Sequence, residues 1–396
     1  MPTVPANVRY SRNREPLHIV DSSSKKLRSQ GLPVCDFIQT PLGRRTSLMA
    51  GALWSLHMGE IRRNRSITAP SAAIERDRAD STVDAYIALH RDTAEGRRGQ
   101  YADLVNRYYD LVTDFFEHGW GTSFHFAPRD RGETFREAVL RYEHDLALRL
   151  GLGPGMQVLD VGCGVGGPMR NIALFSGCHV SGINNNAYQV ERAEKLNGAD
   201  GLTSRCQVIH GDFMSIPLPD ASMDAAYAIE ATMHAPSWLG VFREIRRVLK
   251  PGARFALYDW CMTDAFDARD PRHQTIRHGI ERGSGVADLG TAAQLLEALS
   301  HAGFEVLVHN DHARGGHLPW YEPLAPSSFS LARFRCSGPG RRLTRAVVKL
   351  LELAHIVPKG TTAVAAFLDQ SAAPLIEGGR LGIFTPMYFA LSRNPG

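Results

Sequence analysis

A chain of 396 residues, 43% hydrophobic and 22% charged, has room for one large or two ordinary domains and is too apolar to stay disordered. Its 45 basic against 41 acidic residues leave a formal net charge of +4, too weak a field to steer it to nucleic acid. No apolar run is long enough for a bilayer span, and the six cysteines form no CxxC pair, which argues against a disulfide framework and a zinc site; a cytoplasmic setting and no metal are expected.

Residues 1–95 form an N-terminal extension without recognisable chemistry. Arg9, Arg12 and Arg14 precede no apolar stretch and do not read as a secretory signal. A patch at Leu48, Leu53, Trp54 and Leu56, followed by Arg62, Arg63 and Arg65, predicts a helix packed on the body of the protein, with a helix lying on a membrane surface as the alternative. Residues 96–150 read as a helical lid. One stripe holds Leu104, Tyr108, Leu111 and Phe115, another Phe135, Val139, Tyr142 and Leu146, and between them Gly119 and Gly121 flank Trp120.

From 151 to 317 the texture becomes strand, glycine turn, helix. Strands are expected at Gln157–Asp160, Cys178–Ile183, Cys206–His210, Ala225–Ile229 and Arg254–Tyr258, with helices between them, which means a parallel sheet in an α/β, Rossmann-like core. Two late strands, Phe304–His309 and Ile383–Leu391, are too far apart for a bare loop, so 318–396 is read as a helical insertion followed by the final strand.

The strongest local signal is Asp160-Val-Gly-Cys-Gly-Val-Gly-Gly-Pro168. Glycines at a strand-to-helix turn admit a ligand close to the backbone, and helix-start amides favour an anionic group. A dinucleotide site wants an acid about 20 residues further on, where this chain has Asn184. The next strand ends in Gly211-Asp212-Phe213, suited to an adenine, and the following one in Glu230 with His234 beyond. An adenosyl ligand with an amino-acid tail fits better than a dinucleotide. The plainer readings make Asp160 and Asp212 caps and Cys163 a small residue in a tight turn.

These segments, with Gly182-Ile-Asn-Asn-Asn-Ala-Tyr-Gln189, Ala228-Ile-Glu-Ala-Thr-Met-His-Ala-Pro236, Tyr258-Asp-Trp-Cys-Met-Thr263 and Tyr109-Asp-Leu-Val-Thr-Asp-Phe-Phe-Glu-His-Gly-Trp-Gly-Thr-Ser-Phe-His-Phe126, resemble the sterol 24-C-methyltransferases from about Tyr101 onward. The resemblance implies a class I methyltransferase fold with a seven-stranded, mostly parallel sheet. It also implies S-adenosyl-L-methionine held by Asp160, Gly162, Gly164, Asn184, Gln189, Asp212, Phe213 and Glu230, and methylation of a side-chain alkene. Asp259, Phe116, His118 and Ser284 depart from the family's usual residues.

Methylating an alkene leaves a carbocation, which needs aromatic faces, a dry pocket and a base. Tyr109, Phe116 and Trp120 head the candidate rings. Glu117, expected inside the aromatic cluster, is the first candidate carboxylate and His234 the second, with His125 and Glu230 also in range. A linear prenyl diphosphate or other terpenoid chain is the alternative acceptor, for which Arg129 and Arg131 would have to hold the diphosphate. Outside this chemistry stand a hydroxyl or amine methyltransferase and an inactive lipid-binding module. A homo-oligomer with peripheral membrane contact completes the expectation.

Overall fold

The computed structural model describes residues 79–90, 92–325, 338–354 and 360–396; the patch around Leu48–Arg65 lies outside them. Four helices precede the sheet: α1 (Ala79–Leu89), α2 (Ala94–Gly99), α3 (Tyr101–Gly119) and α4 (Phe135–Leu150). Thr134 starts α4 with a reciprocal capping box to Glu137, and Gly151 ends it in the left-handed conformation (φ 72°). Then follow β1 (Gln157–Val161), α5 (Gly167–Ser176), β2 (His179–Asn184), α6 (Ala187–Ala199), β3 (Cys206–His210), β4 (Met223–Ile229), α7 (Trp238–Val248) and β5 (Leu249–Met262). The chain closes with α8 (Pro271–Ser284), α9 (Ala292–His301), β6 (Glu305–Asp311), α10 (Gly338–Leu353), α11 (Thr361–Leu381) and β7 (Phe384–Arg393).

The seven strands form one sheet in the order β3-β2-β1-β4-β5-β7-β6. β1 to β5 are mutually parallel, and β7 runs antiparallel between β5 and β6. β1 is buried on both faces, as a central parallel strand must be. Val158 joins Tyr142, Met169, Tyr227 and Tyr258 on one face, while Leu159 and Val161 join Phe242, Ile245 and Phe255 on the other. A third cluster ties α1, α3 and α11 together through Tyr86, Leu104, Tyr108, Leu111, Val364 and Phe367. The strand order reverses at β1, between β2 and β4. The crevice beyond the C-terminal ends of β1 and β4 is therefore where such a sheet places its ligand.

Leu104, Tyr108 and Leu111 of the α3 stripe are buried and Phe115 partly so, and the opposite edge docks on α6 through polar pairs. The Asn186 amide donates to Asp110 (2.8 Å), the Gln189 amide to Thr113 (3.0 Å), and the Tyr188 hydroxyl to Asp114 (2.5 Å). Arg192 donates to Glu117 at 2.7 Å. This corrects the placement of Glu117: it sits on the side of the helix opposite the apolar stripe, in an ion pair on the lid's docking face. Where a helical insertion was expected before the last strand, the chain forms two helices, α10 and α11.

Candidate active site

A cavity of about 650 Å³, counting its open mouth, lies against the glycine turn after β1 and is lined by residues from the lid, the turn and the tips of β2, β3 and β4. Gly162 (φ 79°) and Gly164 (φ 54°) take left-handed conformations there. A Cβ on Gly162 would stand 2.5 Å from the Ala231 Cβ, so the turn after β1 and the tip of β4 approach as closely as glycine permits. The turn is less open to an anion than its glycines suggest. The Gly162 and Cys163 amides donate to the Ile183 carbonyl (2.9 and 3.2 Å) and that of Gly166 to the Cys163 carbonyl (2.9 Å). Gly164 and Val165, which line the cavity, are the turn residues whose amides remain for a ligand among the described residues.

Asn184 and Gln189 line the cavity together, the Asn184 amide donating to the Gln189 side-chain oxygen at 2.9 Å. Phe213 lines it from the tip of β3. Asp212 caps the turn by accepting from the Met214 amide (2.8 Å) and also accepts from the Tyr101 hydroxyl, a contact that ties the start of the lid to the sheet. Asp160 faces its cross-strand neighbour Tyr227, whose hydroxyl donates to it at 2.9 Å; burial pushes its pKa up to about 7. The two acids thus have structural partners and stand beside the lining rather than in it.

Glu230 follows β4 directly with φ 49°, a left-handed conformation that costs a non-glycine residue on the order of 1 kcal/mol. Its carboxylate compensates by holding the aromatic segment: it accepts from the Phe126 amide (2.6 Å) and from the Trp260 indole (2.7 Å). Burial nevertheless raises its pKa to about 8. His125 is equally engaged. Its Nδ1 donates to the Phe126 carbonyl (2.8 Å) and its Nε2 to the wholly buried Glu143 (3.0 Å), which also accepts from the Asn171 amide at 2.6 Å. Both partners only accept, so the ring carries both protons. Burial opposes that charge, but Glu143 holds the His125 pKa above its ordinary value.

His234 is different. Its Nδ1 lies 2.9 Å from the Gly285 carbonyl, which can only accept, so Nδ1 carries the proton. Burial pushes its pKa down to about 4, leaving Nε2 a free acceptor for the Tyr109 hydroxyl at 3.0 Å. Tyr109 stays protonated, its pKa raised by burial and then by Glu230. Both residues line the cavity.

The rings facing the cavity are Tyr101, Tyr109, Phe124 and Phe213. Phe116 stands behind Phe124, edge-on at 5.5 Å. Trp120 is turned away from the glycine turn: its indole donates to the His125 carbonyl and its ring packs on Phe126 (5.4 Å) and Phe135 (5.0 Å) in the main core. Its expected place at the reacting centre is corrected accordingly. Arg129 is bound to Glu322 at 2.7 Å. Tyr101, Val105 and Thr122 line the cavity without having been singled out. Tyr101 and Val105 lie on the lid helix as i and i+4, the only signal that would have found them.

Residues 159–257 match the family model described as a methyltransferase domain, and 331–396 the one described as sterol methyltransferase C-terminal. A cycloartenol-C-24-methyltransferase of Arabidopsis thaliana is 51% identical over 310 residues, covering 78% of this chain and 92% of that protein. A sterol 24-C-methyltransferase of Aspergillus fumigatus is 45% identical over 314 residues, covering 77% and 83%. Among solved structures, the cyclopropane synthase MmaA2 from Mycobacterium tuberculosis aligns with a TM-score of 0.57 at 20% identity, over 74% of this chain and 98% of that one. A geranyl diphosphate C-methyltransferase from Streptomyces coelicolor A3(2), solved with Mg²⁺, geranyl diphosphate and S-adenosyl-L-homocysteine, aligns with a TM-score of 0.51 at 18% identity, over 75% and 98%. At these identities the structural likeness is one of fold.

Proposed function

The chain belongs to the sterol 24-C-methyltransferase family, and we propose that it transfers a methyl group from S-adenosyl-L-methionine to the side-chain alkene of a sterol at C24, followed by a hydride shift and loss of a proton. The observation that carries this reading is the joining of two different environments in one cavity: a glycine turn with paired amide side chains, and a ring-lined wall bearing the hydrogen-bonded Tyr109–His234 pair.

The cavity fits such a donor. Its glycines admit close backbone approach, Asn184 and Gln189 offer donors and acceptors for ribose, and Phe213 offers an aromatic face for adenine. When bound, S-adenosyl-L-methionine supplies an electrophilic methyl group on a cationic sulfur. Gly162, Gly164, Asn184, Gln189 and Phe213 would hold it, with Glu230 on the same lining; Asp160 and Asp212 shape the site from behind. Tyr109 and Phe124 present π faces to the acceptor carbon, where a cation is stabilised by about 2 kcal/mol when water is excluded.

Proton removal falls to Tyr109 and His234 because the other candidate groups are already engaged. Both oxygens of Glu230 accept from N–H donors, both nitrogens of His125 donate, and Glu117 is paired with Arg192. The Tyr109 oxygen takes the proton from the carbon next to the cation while its own proton passes to His234 Nε2; His234 Nδ1 keeps its proton on Gly285. A carbon acid beside a carbocation is strong enough that a weakly basic imidazole suffices.

Peripheral contact with an anionic lipid surface belongs to the same proposal. Leu343, Val347, Leu350 and Leu353 lie along one exposed stripe of α10, 46–68% accessible, bordered by exposed Arg342 and Lys349. Apolar side chains beside basic ones suit a bilayer interface. No helix among the described residues is long and apolar enough to cross a membrane.

The test is turnover with labelled S-adenosyl-L-methionine on Δ24 sterols and on prenyl diphosphates, with and without Mg²⁺. The proposal expects sterol turnover independent of Mg²⁺. Turnover of prenyl diphosphates alone would overturn it.

A further inference from the structure

The hydrogen bonds that orient His234 begin outside the cavity. Its anchor is the carbonyl of Gly285, and a glycine carbonyl is a poor anchor unless something restrains it, because glycine rotates at little cost. Gly285 closes α8 in the left-handed conformation (φ 67°), and a Cβ there would reach within 2.8 Å of the Tyr108 ring, so the position requires glycine. Its amide donates to the Glu281 carbonyl of its own helix, and a second restraint comes from α1. The hydroxyl of the fully buried Tyr86 accepts from the Gly285 amide (3.0 Å) and donates to the Arg282 carbonyl (2.6 Å), spanning the last turn of α8.

Two neighbours hold that hydroxyl. His90 Nε2 lies 3.1 Å from it, and burial keeps His90 neutral with a pKa pushed down to about 4. Since the Tyr86 proton is on the Arg282 carbonyl, His90 donates to the Tyr86 oxygen. The Tyr86 ring packs edge-on against Phe367 (5.4 Å) and tilted on Tyr108 (5.8 Å), the ring that also touches Tyr109 at 5.2 Å. Tyr86 does not line the cavity.

We infer that Tyr86 is a positioning residue for the Tyr109–His234 pair: by fixing Gly285 it sets the tautomer and the tilt of the His234 ring. This rests on the reading of that pair as the proton acceptor. The consequence is particular to carbocation chemistry. Methyl transfer commits the substrate before the base acts, so a misplaced base does not stop the reaction but lets the cation lose a different proton or capture water.

The experiment compares Tyr86→Phe with wild type in the full chain, measuring kcat, KM, donor affinity by calorimetry and the ratio of products by mass spectrometry. Tyr86→Phe should lower kcat roughly tenfold. It should leave donor affinity within about twofold, since the ring and its packing remain, and raise the share of isomeric alkene or alcohol. The product ratio is a property of each turnover and is read even if part of the variant is unfolded. A wild-type product ratio in Tyr86→Phe overturns the inference, and a fall in donor affinity with unchanged products makes Tyr86 merely structural. Tyr109→Phe and His234→Gln separate the layers. If they shift the products and Tyr86→Phe does not, only this inference fails; if none of the three does, the reading of the pair fails with it.

Discussion

The Tyr109 hydroxyl and His234 Nε2 meet at 3.0 Å on the cavity wall, with the far nitrogen of the imidazole tied to the Gly285 carbonyl. That arrangement gives one oxygen at the cavity a route for a proton. Replacing His234 by Gln should cut turnover on the order of 10²-fold, the usual worth of a positioned acid–base group, with donor affinity unchanged. Steady-state kinetics beside calorimetry check this; parallel losses in both would mean the residue serves binding.

Gly162→Ala meets two obstacles at once. Its Cβ would fall 2.5 Å from the Ala231 Cβ, and φ 79° is unfavourable for alanine. Strain of this kind costs roughly 1–3 kcal/mol. Because relief requires moving the turn away from Ala231, the expected outcome is at least tenfold weaker S-adenosyl-L-methionine binding together with a lowered melting temperature. Unaltered donor affinity would show that the ligand does not use this turn.

His125 and Glu143 form a buried pair whose carboxylate has one further donor, Asn171. His125→Ala leaves a buried charge with half its partners, and unfolding by denaturant should show a loss of about 3–5 kcal/mol. Glu143→Gln should cost less, since no carboxylate is stranded. Equal costs would contradict the ion-pair assignment.

The pH dependence of stability has a definite sign. Burial raises Asp160 and Asp259 to about 7 and Glu230 to about 8, so the folded state holds protons that the unfolded state has released. Stability from these groups falls as pH rises from the ordinary carboxylate range through 7 and 8. His90, His234 and His312 are pushed down to about 4 and act oppositely, but their contribution is complete above their ordinary value of 6.5. The ligand-free protein should therefore lose stability, on the order of 1 kcal/mol, between about pH 6.5 and 8.5. Glu230→Gln should flatten the decline; a melting temperature that rises across this range would contradict the assignment.

If α10 rests on lipid, wild type should float with vesicles containing phosphatidylserine and bind weakly to pure phosphatidylcholine. Leu343→Glu with Leu350→Glu should reduce that binding roughly tenfold or more, because two exposed apolar anchors become like-charged with the surface. Undiminished flotation of the variant would assign membrane contact elsewhere in the chain.

Strand positions were legible because a buried parallel strand and an amphipathic helix have different periods, and the β1–α5 turn because glycines stand where strand passes into helix. The insertion was legible from separation alone. What sequence hid was direction. Glu117 follows Phe116 in a ring-rich stretch, yet the helix turns it to Arg192 on α6, a contact no local pattern encodes. Trp120 and Phe124 are equally aromatic and four residues apart, but only Phe124 faces the cavity, because Trp120 caps the helix and the chain turns at Gly121 (φ 101°) between them. The glycine-turn amides looked available until β2 claimed two of them through the Ile183 carbonyl.

The position of the new carbon tests the account most directly. With S-adenosyl-L-methionine carrying a ¹³C methyl group and a Δ24 sterol as acceptor, the account predicts a product whose label is bonded to C24, seen by carbon–carbon coupling in NMR. Label on the sterol hydroxyl oxygen as a methyl ether, with the side-chain alkene intact, would contradict it.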